Sequence, residues 1–239
     1  MERPLLYPGN PEWVTSIECI NSTGWALPPC IIFKGKVHIE GWYQDSKISR
    51  DWRIEVSPNG WTTDKIGLRW LKNLFIPATI SRTTGKYCLL ILDGHGSHLT
   101  PHFDQICSEK DIIPICMPAH SSHKLQPLDM GCFKSLKDAH GYLIAENIRA
   151  GLNHYVKLGF LKAFPQAHAI AFNAKTVQIS FAGAGLIPLD PDRILSELNI
   201  LKTPTPPGTG KASIYCEKAP SSTYAEPTIF TRSAIRQDY

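Results

Sequence analysis

Tyr87-Cys-Leu-Leu-Ile-Leu92, followed at once by Asp93-Gly94, is an unbroken apolar run ended by a turn pair. Continuous apolarity without alternation predicts a strand covered on both faces. The same character returns at Ile112-Ile-Pro-Ile-Cys-Met117, and the stretch between, Thr100 to Lys110, reads as a crossover helix. Strand, helix and strand make a βαβ unit, so the two strands are predicted parallel. Asp93 then stands at the carboxyl end of the first strand. Pro127 suits the first turn of a long helix running towards Ala150, because its fixed φ and missing donor are tolerated there. That helix carries Asp129 in its first turn, just beyond the second strand. Both aspartates are therefore expected at one rim of a parallel sheet.

Upstream, Glu12-Trp-Val-Thr-Ser-Ile-Glu-Cys-Ile20 alternates and is rich in β-branched residues, and Trp25 to Lys34 repeats that character after the turn Asn21-Ser-Thr-Gly24. An antiparallel hairpin follows. Residues Val37 to Arg53 show no sustained period, although Trp42, Tyr43 and Trp52 must pack somewhere, and Ile54-Glu-Val56 reads as a short extended piece. Thr62-Thr63-Asp64 is a capping signal, and Ile66, Leu68, Trp70, Leu71, Leu74 and Phe75 fall on one helical face, which predicts a helix from about Thr63 to Pro77. Further helices are predicted at about Tyr155 to Ala174, Ala174 to Ala184 and Pro191 to Asn199. From Thr203 the chain turns rich in Pro, Gly and Thr, then polar without period, and residues 203–239 read as a flexible tail after a domain of residues 1–202.

The 239 residues are 43% hydrophobic, enough for a substantial single core. No apolar run reaches the length of a membrane span, and MERPLLYPGN lacks the pattern of a signal peptide, so a soluble intracellular protein is expected. Seven cysteines occur without a CxxC pair. Those inside apolar runs, Cys88 and Cys116, read as small buried hydrophobes, and the set as reduced thiols. A formal charge of +4 is too mild to mark a nucleic-acid binder, but eight Lys/Arg against five Asp/Glu lie between Lys34 and Lys72.

Two carboxylates brought to one rim repel, which raises the pKa of one unless a cation neutralises them. A hard divalent ion resolves the conflict: Mg²⁺ takes one or two protein carboxylates, keeps waters and completes its shell with phosphate oxygens. Such a site suits in-line displacement at a phosphodiester and needs no covalent enzyme nucleophile. Taken singly, an Asp-Gly after a strand is usually only a turn. His95, His98, His120 and His123 form two HxxH pairs that invite a zinc reading. Orientation of the aspartates or contact with phosphate is the better role for them, with His95 and His123 foremost. Gly94-His-Gly-Ser-His98 fails as a dinucleotide loop because the third glycine would fall at Leu99, and Ser97 lacks the flanks of a nucleophile elbow. Lys34, Lys36, Lys124, Lys134 and Lys137 can track a DNA backbone, although a solvated face explains any single lysine as well. The six tryptophans read as core before they read as base-stacking platforms.

Three segments, Leu89-Leu-Ile-Leu-Asp-Gly-His-Gly-Ser-His98, Ile112-Ile-Pro-Ile-Cys-Met-Pro-Ala-His-Ser-Ser-His123 and Leu125-Gln-Pro-Leu-Asp-Met-Gly-Cys-Phe133, closely resemble the DDE superfamily endonuclease domain of pogo/Tigger-like transposases, the fungal branch above all. Pro8-Gly-Asn-Pro-Glu-Trp-Val14, Gly24-Trp-Ala-Leu-Pro-Pro29, Ile32-Phe-Lys-Gly-Lys36, Asn59-Gly-Trp-Thr-Thr63 and Gly183-Ala-Gly-Leu-Ile-Pro-Leu-Asp190 extend the likeness over about residues 7–207. The resemblance implies an α/β, ribonuclease H-like mixed sheet with flanking helices. Asp93 and Asp129 would be the second and third acidic residues, with 35 residues between them, with Mg²⁺ or Mn²⁺ as the cofactor, DNA as the partner and the nucleus as the location.

The family's first acidic residue follows a strand upstream of the Pro8-Gly-Asn loop, and Asp45, Asp51 and Asp64 lie in the wrong place to replace it. By this likeness the central strand is expected to be missing, between the hairpin and the strand ending at Asp93. Its loss would impair two-metal catalysis and leave unpaired backbone along an internal edge, inviting aggregation or strand addition from a partner such as a related transposase chain. A fragment of a longer active enzyme, a decayed element and a non-enzymatic interaction protein remain open on the sequence alone. DNA binding without a preceding helix-turn-helix is expected to be weak and non-specific.

Overall fold

The computed structural model describes residues 13–44, 48–93, 100–118, 121–151, 157–196 and 228–238. Alternating residues build β1 (Trp13–Asn21), which pairs antiparallel with β2 (Cys30–Lys34) in the register Val14 to Phe33 through Ile17 to Cys30. A short helix α1 (Gly41–Gln44) buries Trp42, and β3 (Arg53–Ser57) returns parallel to β2. The Thr63 hydroxyl caps α2 (Asp64–Trp70) by accepting from the Ile66 N–H, as its sequence position predicts. The helix continues through a π-helical turn (Leu71–Phe75) into α3 (Ile76–Thr79).

Next come β4 (Cys88–Leu92), α4 (Pro101–Glu109, capped by Thr100) and β5 (Ile112–Cys116), the last parallel to β4. A single turn, α5 (Ser122–Leu125), leads to a second π-helical turn (Leu128–Cys132) that runs directly into α6 (Phe133–Arg149). Helices α7 (Lys157–Ala171), α8 (Ala174–Gly183) and α9 (Asp192–Leu195) follow.

Residues 228–238 correct the expectation of a featureless tail. Thr228–Asp238 is a strand, β6, and it lies in the middle of the sheet, whose order is β3-β2-β1-β6-β4-β5. It runs antiparallel to β1 from Trp13–Asp238 to Asn21–Phe230, and parallel to β4 from Cys88–Thr228 to Leu92–Arg232. The position expected to stand vacant between the hairpin and β4 is thus taken by the chain's own late strand. With β6 seated, the backbone groups of β1 and β4 are paired, which removes the internal edge that would have invited a partner strand.

The strand is held at its start by side chains as well. Asn21 Nδ2 donates to the Ile229 carbonyl at 3.1 Å, and the Thr84 N–H donates to Thr228 Oγ1 at 3.2 Å. Phe230 is fully buried, its ring meeting Trp25 and Phe75 edge-on at 5.4 and 5.2 Å between centroids.

Pleating divides the core. Ile17, Cys19, Ile32, Leu90, Leu92 and Phe230 face α2 and α4, whereas Val14, Ile20, Ile31 and Phe33 face α6, α7 and α8. Trp42 and Trp70 are core residues, in keeping with the expectation for tryptophan, while Trp61 is 45% exposed. The parallel pair β4 and β5 appears as expected, but β5 is an outer strand and not one covered on both sides. Ile113 and Ile115 are about half exposed, and Cys116 is exposed where its apolar neighbours suggested burial. The six described cysteines are free, and burial pushes the thiols of Cys88 and Cys107 up to about 12, which makes them inert.

One defect marks the new central strand. Thr231 is fully buried between Ile20 and Ile91, and its hydroxyl has no hydrogen-bond partner. An unsatisfied buried hydroxyl costs about 1–3 kcal/mol. Thr231→Val is nearly isosteric and is expected to stabilise the protein by about 1 kcal/mol or more in urea titration.

Candidate active site

Asp93 directly follows β4, and strand alternation puts it on the sheet face covered by α6 to α8, the same face as Ile91. Asp129 comes to that face by another route. Gln126 ends α5 in an extended conformation, Pro127 starts the next helical segment, and the chain widens into the π-helical turn Leu128–Cys132. That turn packs against β1 and β6 and rests on α8. Gly131 permits the approach, since a Cβ there would lie 2.7 Å from Ser180 Oγ. Leu128 and Cys132 are buried, and Asp129 stands exposed at the edge of the turn, close enough for the charge of Asp93 to act on it.

The two carboxylates sense each other. Burial raises the Asp129 pKa above the usual carboxylate range, and the negative charge of Asp93 raises it further, while Lys137 and His123 pull it back. A raised carboxylate beside a second one, with cations nearby, is the electrostatic condition that a divalent ion relieves. Carboxylate oxygens at a sheet rim are hard donors and suit Mg²⁺ or Mn²⁺. Among the described residues no group of three or more His, Cys, Asp or Glu side chains converges as a metal cage.

His123 lies in α5, close enough for its charge to act on Asp129, whereas His95, His98 and His120 fall outside the described residues. Of the five lysines, Lys124 in α5 and Lys134 and Lys137 in α6 flank the turn that carries Asp129. Lys34 and Lys36 do not join them: they lie at and beyond the end of β2, which is separated from β4 by β1 and β6.

Sequence reasoning missed a polar cluster behind the site. Glu18 in β1 is fully buried, accepts a hydrogen bond from Ser16, and pairs with His168 Nε2 of α7 at 3.0 Å. His168 stacks on Phe172 at 4.2 Å. Glu18 stands within the alternating run of β1. Its burial follows from α7 covering that face, which no local pattern reveals.

A parallel βαβ pair joined to a hairpin through an antiparallel neighbour, with helices on both faces and two acids at one rim, is a ribonuclease H-like α/β arrangement. The profile of the DDE superfamily endonuclease family matches residues 10–181, and the chain belongs to that family. Three curated relatives are similar to it. A Cochliobolus lunatus protein named MFS-type transporter clz9 is 44% identical over 217 residues, which is 91% of this chain and 23% of that protein. Chaetoglobosin A biosynthesis cluster protein C of Chaetomium globosum is 45% identical over 85 residues, 34% of this chain and 21% of the relative. The human pogo transposable element with ZNF domain is 26% identical over 127 residues, 53% of this chain and 8% of its own length, and supports the pogo-like assignment.

The chain therefore spans less than a quarter of each of these relatives. No solved structure matches. Among the described residues no helix is long and apolar enough to cross a membrane.

Proposed function

We propose that this chain is a transposase-derived domain that binds nucleic acid and holds a divalent ion between Asp93 and Asp129. The observation that supports this most is the charge of Asp93 acting on an already raised Asp129 from a separate segment of the chain. When bound, Mg²⁺ or Mn²⁺ supplies positive charge for a phosphodiester oxygen. The protein's own part is to hold the carboxylates at a fixed rim, with His123 and His95 orienting them or contacting phosphate. Lys124, Lys134 and Lys137, which flank the turn of Asp129, are the side chains assigned to a nucleic-acid backbone. A nuclear location follows from this role.

The test is duplex DNA binding by fluorescence anisotropy at 50 and 200 mM salt. Two phosphate contacts give about a tenfold loss of affinity over that range, and five give roughly 500-fold. Mg²⁺ is expected to tighten binding of the wild type and not of Asp129→Asn. Binding that is absent, or indifferent to salt, would overturn the proposal and favour an interaction protein.

A further inference from the structure

The wide turn that carries Asp129 leans on one helix. The Phe133 N–H reaches the Leu128 carbonyl, five residues back, so Leu128–Cys132 holds one residue more than an α-helical turn. One extra residue swings Asp129 by roughly 100° about the helix axis relative to α6. What keeps the turn wide therefore decides where the Asp129 carboxylate lies.

α8 packs on this turn, and its contact there is close. A Cβ on Gly131 would lie 2.7 Å from Ser180 Oγ but 3.8 Å from Ser180 Cβ, so only the hydroxyl is in the way. That hydroxyl is pinned. Ser180 is 1% exposed, its O–H donates to the Thr176 carbonyl at 2.8 Å, and its oxygen lies 3.4 Å from the Cys132 thiol. Turning it aside would strand a buried polar group. Gly183, three residues along α8, meets Met130 of the same turn more loosely: a Cβ there would touch Met130 at 3.4 Å.

We propose that Ser180 is a positioning residue for the ion: by seating its hydroxyl against Gly131, α8 fixes the wide turn and so the reach of Asp129 towards Asp93. Ser180 acts through Gly131, two residues past the ligand. This rests on the assignment of Asp93 and Asp129 as ligands, and it goes further in naming what holds one of them in place.

Mn²⁺ binding by the full chain, followed by electron paramagnetic resonance of the free ion, tests it in a double-mutant cycle. Gly131→Ala pushes the turn off α8 and is expected to weaken binding about tenfold, as loss of support for a metal ligand does. Ser180→Ala leaves a gap beside Gly131 and is expected to weaken it about threefold. Together the two changes put methyl against methyl at 3.8 Å, and the double variant is expected to return to within twofold of wild type. Gly183→Ala, and Phe75→Leu in the core on the opposite face, are expected to stay within twofold, although Phe75→Leu melts earlier.

Single losses that multiply in the double variant would overturn the inference, as would both single variants staying within twofold. Equal weakening by Phe75→Leu would reduce the effect to lost stability and overturn it as well. If Gly131→Ala does not fold at saturating Mn²⁺, Ser180→Ala decides: unchanged affinity overturns the inference, and a threefold loss recovered in the double variant upholds it. Asp93→Asn separates the two levels. Binding that survives it defeats the two-carboxylate assignment itself, whereas binding lost in Asp93→Asn but indifferent to positions 131 and 180 defeats the inference alone.

Discussion

Phe230→Ala is expected to destabilise the protein by about 3–5 kcal/mol, the range for emptying a fully buried aromatic site. The ring is fully buried against Trp25 and Phe75 and sits on the face that meets α2 and α4. The effect should spread further than a cavity usually does. Phe230 is the side chain that anchors β6 at the end of β1, where Asn21 and Ser22 both donate to the Ile229 carbonyl at 3.1 Å. A strand loosened there releases backbone groups of β1 and β4 together. Hydrogen exchange is expected to show both strands losing protection in concert, with α7 and α8 less affected. Stability within 0.5 kcal/mol of wild type would mean that β6 does not fill the centre of the sheet.

The second large effect is on pH dependence. His140 of α6 is 3% exposed, its Nε2 lacks a hydrogen-bond partner, and its ring meets Phe160 edge-on at 4.9 Å. Burial lowers its pKa from 6.5 to about 4. The unfolded chain thus takes up a proton near pH 6.5 that the folded protein refuses until about pH 4. The neutral ring's contribution is complete above pH 6.5 and falls away as the pH drops towards 4, by about 3 kcal/mol in all. Below that both states are protonated and the term is constant. Urea midpoints measured from pH 7 to pH 4 should show this slope in wild type and lose it in His140→Leu. An unchanged slope in the variant would assign the acid sensitivity to other groups.

Local pattern carried much of the architecture. The Thr63 cap and the helix after Pro127 arise from near neighbours in the sequence, and the β1–β2 hairpin and the βαβ pair from consecutive elements, where alternation, helical spacing and capping chemistry act directly. Three features did not follow from pattern. β5 reads as a covered strand because Ile113 and Ile115 are apolar, but its position at the sheet's end leaves them half exposed. The π-helical turn at Leu128–Cys132 widens where Gly131 meets Ser180, a contact with a helix some 50 residues later. β6 pairs with residues more than 200 positions earlier, and its own mixture of Thr, Arg, Ser and Gln lacks the apolar run that marks a central strand. Tertiary context assigns its place, as it often does for strands.

The candidate site divides the same way. Asp93 and Asp129 were legible because each closes or opens a recognisable element, and Lys137 and His123 lie within reach of Asp129 as their sequence neighbourhood suggested. Glu18 and His168 were not legible, because they meet only through the layering of α7 on β1.

Iron-directed backbone cleavage tests the central assignment most directly. Fe²⁺ placed in a Mg²⁺ site, with ascorbate and peroxide, cuts the chain at whatever segments surround the ion. Two sets of fragments are expected from one sample, ending near Asp93 and near Asp129, both suppressed by excess Mg²⁺ and both lost in Asp93→Asn. Cuts near only one aspartate, or cuts that persist in Asp93→Asn, would contradict a shared ion at this rim.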